Sequence, residues 1–247
     1  MADTSWIKTR DDGPLRHLVL DAPPVNALRP ARLMGLAKVV AEAETDTNVR
    51  AIIISSACKV LSAGLDLKVA RDFNEDDQAR IVDGLNVAFL CLFACPKPVI
   101  VATDGAAIAG GLFFVLTADH RIATPRASFG LAEVRVGVDF PVGPMEIARA
   151  MLAPNDLRRL MMRGQPIGAD AALACGLVDE VVDPEVLMDV AVREAQAFAA
   201  IPPVAYAAVK QQIRGDTIAR IKTQMGKARG AWFTAETRDA MTAMLGG

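Results

Sequence analysis

An α/β fold is what this sequence predicts, and three observations carry the prediction. Apolar strand-like runs alternate with helix-periodic stretches over the first half of the chain, the pattern of a mostly parallel sheet. The stretch Lys97-Pro-Val-Ile-Val-Ala-Thr-Asp-Gly-Ala-Ala-Ile-Ala-Gly-Gly-Leu112 is an apolar strand that runs into a glycine pair opening an apolar helix. From Met145 onward the periodicity is helical almost to the end. The 247 residues suit one large domain, or a domain with a C-terminal appendage. With 52% hydrophobic but only 5% aromatic residues, the core is built from Ala, Val, Leu and Ile.

In chain order, residues 6–10 and 16–20 read as a hairpin closed at Asp-Asp-Gly-Pro. After the loop Asp21–Leu28, a helix spans 30 to about 43, with Pro30 in its first turn and Leu33, Leu36, Ala37 and Val40 at helical spacing. Residues 49–55 form an isoleucine-rich buried strand. The turn Leu61-Ser-Ala-Gly-Leu-Asp-Leu-Lys68 then leads into a short helix. Ile81, Leu85, Ala88, Phe89 and Leu92 mark an amphipathic helix over 75–95, which returns the chain to a strand at 98–102. The central helix covers 112–118, with short strands at 121–124 and 127–129. Helices follow at 145–152, 155–162 and 168–174, a strand at 178–182, a helix from Asp183 to about Ala200, and two or three more to Leu245.

Composition excludes several classes of function. Net charge is −2 and the pI about 5.8, so no basic field draws phosphate backbones or acidic membranes. Arg158-Arg159 is the one adjacent basic pair in the helices, which argues against nucleic acid. Cys58, Cys91, Cys95 and Cys175 lack zinc-ligand spacing and read as reduced thiols; no metal is implied. Without a leader-like N-terminus or an apolar run of about 18 residues, the expectation is a soluble, cytoplasmic protein. His17 in a strand and His120 beside Asp119 read as structural. Leu112 and Phe113 stand where a phosphate-binding loop needs Lys and Ser or Thr.

Two small-residue turns remain, Ser62-Ala-Gly64 and Ala109-Gly-Gly111, with Glu133 among apolar neighbours in Phe-Gly-Leu-Ala-Glu-Val. Unpaired amides at a helix start can hold a developing oxyanion. A carboxylate in an apolar setting has its pKa raised, so it can take a proton and give it back. These residue types suit proton chemistry beside a carbonyl, although by spacing alone Glu133 equally fits the surface of a short helix.

The sequence resembles the crotonase, or enoyl-CoA hydratase/isomerase, superfamily over nearly its whole length. The likeness lies in Pro-Pro-Val-Asn-Ala-Leu (23–28), Leu-Ser-Ala-Gly-Leu-Asp-Leu (61–67), Lys-Pro-Val-Ile (97–100), Ile-Ala-Gly-Gly (108–111), Ala-Asp-His-Arg-Ile-Ala (118–123), Phe-Gly-Leu-Ala-Glu-Val (129–134) and Gly-Leu-Val-Asp-Glu-Val (176–181). The resemblance implies a spiral ββα core over 1–185 and a helical C-terminal region, 186–247, that trimerises and in some members pairs trimers into hexamers. It also implies an acyl-CoA thioester substrate, with coenzyme A entering as part of the substrate and no separate cofactor. Carried over by position, the oxyanion amides are those of Ala63 and Gly110. Val25, Ala27, Leu65, Asp66, Leu67 and Gly111 line the substrate path, and Asp66 caps the short helix that follows. Lys68, Lys210 and the C-terminal arginines are candidates for the CoA phosphates or plain solvated charges.

Hydratases of this superfamily use two glutamates, one on the central helix and one matching Glu133; Phe113 occupies the first position here. A single Glu, with the Ser-Ala-Gly-Leu-Asp-Leu loop and the Ala-Gly-Gly turn, is most similar to the Δ3,Δ2-enoyl-CoA isomerases. That similarity implies that Glu133 moves a proton from C2 to C4 of a 3-enoyl-CoA. Asp139, six residues further on, is the alternative second carboxylate, which would restore hydration, hydrolysis or dienoyl isomerisation; otherwise it caps its loop. A noncatalytic CoA-thioester-binding oligomer is the remaining alternative.

Overall fold

A computed structural model describes residues 1–226 and 231–246. β1 (Ile7–Asp12) and β2 (Leu15–Leu20) form the expected hairpin, paired from Ile7↔Leu20 to Asp12↔Leu15. α1 (Pro30–Thr45) starts on its proline, and β3 (Ala51–Ser56) follows parallel to β2. Alternate side chains of β3 enter opposite layers: Ile52 and Ile54 join the large core, while Ala51 and Ile53 join a second one. A strand buried on both faces needs such an unbroken apolar run.

After the short α2 (Leu67–Ala70), α3 (Glu75–Ala94) opens on a capping box. The Asn74 side chain accepts from the Asp77 amide at 2.9 Å, and Asp77 accepts from the Asn74 amide. Gly84 lets α3 lie close on α1, since a Cβ there would sit 3.2 Å from the Leu33 side chain. β4 (Val99–Thr103) joins the sheet, and the chain turns into β5 (Ala106–Ile108), a strand missed because it is only three residues long.

A 3-10 turn, Ala109–Gly111, then feeds α4 (Leu112–Leu116), whose five side chains are all buried. This central helix is shorter than expected; at its end the Thr117 hydroxyl donates to the Phe113 carbonyl at 2.7 Å. β6 (His120–Ala123), β7 (Ser128–Gly130), α5 (Val142–Met151), α6 (Pro154–Arg163), β8 (Ile167–Gly168), α7 (Ala169–Ala174) and β9 (Glu180–Val181) follow. The main sheet runs β1-β2-β3-β4-β6-β9, parallel after the first pair, and β5-β7-β8 make a smaller second sheet.

α8 (Leu187–Ala199) lays Leu187, Val190, Ala191 and Ala195 on the second face of the main sheet. α9 (Pro203–Gln224) is fixed by an ion triad: Asp119 accepts from Lys210 at 2.6 Å and from Arg214 at 2.9 Å, all three side chains under 10% exposed. Lys210 is therefore neither a solvated charge nor a candidate for the CoA phosphates, because its ammonium group is spent inside the fold. α10 (Ala235–Gly246) returns to the core and contacts the segment that begins at Glu133. The four cysteines are free thiols. Among the described residues no helix is long and apolar enough to cross a membrane.

Candidate active site

The loop from residue 22 to 28 is held by Asn26, whose part the sequence reading missed. Its backbone is left-handed (φ 49°), a conformation asparagine tolerates. Its side-chain oxygen accepts from the Ala22 amide at 2.7 Å, and its nitrogen donates to Ser56 Oγ at 2.8 Å and the Leu61 carbonyl at 2.9 Å. Ser62 completes the joint: its hydroxyl donates to the Asn26 carbonyl at 2.8 Å and accepts from the Gly64 amide at 3.2 Å. The residue types gave a signal, since a buried amide and hydroxyl are what a turn without regular ladder bonds requires.

That joint decides which amides are free. The Ala63 amide, expected to face the substrate, donates instead to the Val25 carbonyl at 3.0 Å. Leu65, two residues on, is flanked by two bonds to Leu28, whose amide donates to the Gly64 carbonyl and whose carbonyl accepts from the Asp66 amide, while the Leu65 amide itself has no acceptor among the described residues. Gly110, second in the 3-10 turn, likewise has no intrahelical acceptor for its amide. The two bends touch: a Cβ on Gly64 would lie 2.9 Å from the Ile108 carbonyl and 3.1 Å from the Gly110 nitrogen. Ala109 between them adopts φ 51°, a strained value for a residue with a side chain.

Glu133 begins a 3-10 turn (Glu133–Val136) that closes on Gly137 at φ 67°. The Thr237 hydroxyl of α10 donates to the Gly137 carbonyl at 2.7 Å, tying the turn to the C-terminal segment. Glu133 is 8% exposed, and its Oε2 has no hydrogen-bond partner among the described residues. Burial pushes its carboxyl up to about 8. It faces a cavity of about 120 Å³ whose other walls include Leu65, Leu67, Ile108, Gly110, Phe113 and Phe140. Among the described residues lining this space, Glu133 alone is ionisable.

The remaining expected residues fall in different places. Ala63, Leu65, Leu67 and Gly110 line the cavity; Val25, Ala27, Asp66 and Gly111 do not. Gly111 packs against Ser62, where a Cβ would meet the Ser62 carbonyl at 2.2 Å, so its role is close approach of the two bends. Asp66 makes no side-chain cap to α2 but pairs with Arg29 at 2.7 Å. Asp139 lines a neighbouring groove rather than the Glu133 cavity, and accepts from Trp232 Nε1 at 2.9 Å. Trp232 and Met244, both in the C-terminal segment, were not expected at the site yet line it. Away from it, His120, Glu180 and Glu194 converge within 4.8 Å, with Arg193 bridging the two carboxylates.

Chemically, the arrangement offers two backbone donors on adjoining bends beside one proton-accepting group in an apolar space. A sequence model of the enoyl-CoA hydratase/isomerase family matches residues 14–242. The chain is 32% identical to a short-chain-enoyl-CoA hydratase of Clostridium acetobutylicum over 95% of this chain and 92% of that protein. It is 33% identical to a carnitinyl-CoA dehydratase of Citrobacter koseri over 82% and 77%. Among solved structures, it is similar to the Mtb enoyl-CoA isomerase, with TM-score 0.81, 27% identity and coverage of 96% and 98%. It is also similar to a probable enoyl-CoA hydratase of Mycobacterium tuberculosis, with TM-score 0.83, 27% identity and coverage of 98% and 96%. The match over most of its length, together with this site, makes the chain a member of the enoyl-CoA hydratase/isomerase family, with the crotonase fold.

Proposed function

We propose that the protein is an enoyl-CoA isomerase that moves a double bond from C3 to C2 of an acyl-CoA thioester. One observation carries the reading: among the described residues that line the cavity the one ionisable side chain is Glu133, and the buried Phe113 stands where a second carboxylate would be needed for hydration. Adding water requires one group to activate the water and another to manage the α-carbon proton; moving a proton between two carbons of one substrate requires only one.

In the proposed reaction the amides of Leu65 and Gly110 donate to the thioester oxygen. Ala63, whose amide is already bonded, shapes the entrance instead. Ionised Glu133 takes a proton from C2, and the electron pair spreads over the dienolate to the gripped oxygen. The same carboxyl returns the proton at C4, leaving the conjugated 2-enoyl thioester. A backbone donor in such a position contributes about 2.7 to 4 kcal/mol to lowering the barrier. Coenzyme A belongs to the substrate. Exposed Val209 and Ile213, one turn apart on α9, fit a helical face covered in a trimer, or in a hexamer of paired trimers.

Hydration is the second reading, favoured by the names of the curated relatives. The two separate on two substrates given independently, with the conjugated thioester absorbance followed. Absorbance growing from 3-enoyl-CoA, with none lost from 2-enoyl-CoA, is the expected result. Loss from 2-enoyl-CoA in water without isomerisation of 3-enoyl-CoA refutes the isomerase reading.

A further inference from the structure

The lining of the Glu133 cavity is exposed at some residues and buried at others. Ala63 and Met244 are exposed, which places the mouth on their side, whereas Phe113, Val138, Pro144 and Trp232 are buried. The space between is about 120 Å³. A far larger groove of about 810 Å³, bordered by Gln78, Val82, Asn86, Met145 and Arg149, adjoins the cavity. Two side chains line both spaces, Phe140 and Trp232. They are the partition between a small apolar chamber and a wide, partly charged one.

The partition is anchored. Trp232 Nε1 donates to Asp139 Oδ1 at 2.9 Å and to the Asp139 carbonyl at 3.2 Å. Its ring stacks on Phe233, with centroids 5.3 Å apart, and Phe233 stacks on Phe73 at 6.3 Å. The Phe233 amide in turn donates to Gln78 Oε1 at 2.9 Å. Phe140 stands edge-on to Phe113 at 6.5 Å. To pass this wall, a hydrocarbon chain must displace an aromatic ring that is hydrogen-bonded at one edge and stacked on its face.

Resting on the acyl-CoA reading above, we propose that Trp232 and Phe140 set an upper limit on acyl length and restrict the enzyme to short-chain acyl thioesters. The thioester held between the two bends points its coenzyme A end at the mouth and its acyl end at the wall. Carbons that fit the chamber gain apolar burial; carbons beyond it meet the indole. Opening the wall joins the chamber to the groove and gives a longer chain somewhere to go.

The test measures Kd by calorimetry for saturated acyl-CoAs of four, six, eight and twelve carbons, which bind without undergoing the reaction. The proteins are the unaltered chain, Trp232→Ala and Phe140→Ala, so that the question survives if one variant does not fold. The unaltered protein is expected to bind the four- or six-carbon thioester best and the twelve-carbon one more weakly. In either variant the twelve-carbon to four-carbon affinity ratio should rise by on the order of tenfold, since each newly buried methylene is worth roughly fourfold. Binding of the twelve-carbon thioester by the unaltered protein at least as tightly as the four-carbon one, or an unchanged ratio in folded variants, overturns the partition alone. Failure to bind any of the four thioesters overturns the acyl-CoA reading, and the partition with it.

Discussion

Gly64 and Gly110 lie so close that a methyl group on the first would sit 3.1 Å from the nitrogen of the second. The two bends that carry the Leu65 and Gly110 amides, for which no acceptor stands among the described residues, are thus packed as one unit. Gly64 also needs φ 81°, which disfavours any side chain. Gly64→Ala is expected to push the bends apart and lower kcat/KM by about 10² to 10³, the cost of misplacing one oxyanion donor. On the isomerase reading, steady-state kinetics on a 3-enoyl-CoA checks this.

The burial of Glu133 has a consequence for stability. Its carboxyl titrates near 4.5 when unfolded and is raised to about 8 in the fold. Below pH 4.5 both states hold the proton and nothing is lost. Between 4.5 and 8 the unfolded chain gives up its proton while the folded one keeps it, so folding weakens as pH rises, and the loss levels off above 8. Glu133→Gln removes this dependence. Relative to the unaltered protein it should gain stability from pH 5 to 8, by up to about 5 kcal/mol at ~1.4 kcal/mol per pH unit. Denaturant titrations at several pH values measure the difference.

The same burial sets the activity profile. A base must be ionised to act, and kcat/KM reports the free enzyme. On the isomerase reading, kcat/KM for a 3-enoyl-CoA should climb with pH until about 8 and then flatten. A profile already flat from pH 6 would contradict a buried carboxyl as the base.

Asp119 is the hinge between the sheet and α9. It accepts from the Val99 amide at 2.8 Å and from both Lys210 and Arg214. Asp119→Asn leaves two buried cations without a countercharge and is expected to destabilise the protein by about 3–5 kcal/mol, measured by denaturant unfolding.

Local pattern made much of the fold legible. The isoleucine run of β3, the spacing of Leu33, Leu36 and Val40 in α1, and the apolar stripe of α3 each follow from period alone. Glu133 and the glycine bends were legible through their motifs. Other parts depend on distant chain segments. Which amide of the 62–65 turn is free follows from a bond back to Val25, so sequence position pointed to Ala63 where the geometry leaves Leu65. Lys210 reads as a surface charge until folding brings it to Asp119, 91 residues earlier. Trp232 and Met244 reach the cavity only because α10 folds back over the turn that begins at Glu133.

The proposed chemistry depends on the carboxylate at 133. The direct measurement is the rate at which the conjugated thioester forms from 3-enoyl-CoA in the unaltered protein and in Glu133→Gln, with folding of both verified. Loss of about 10² to 10⁴ in kcat, the usual worth of a positioned acid–base group, is the predicted result. A folded Glu133→Gln protein that isomerises the substrate at an undiminished rate would contradict it.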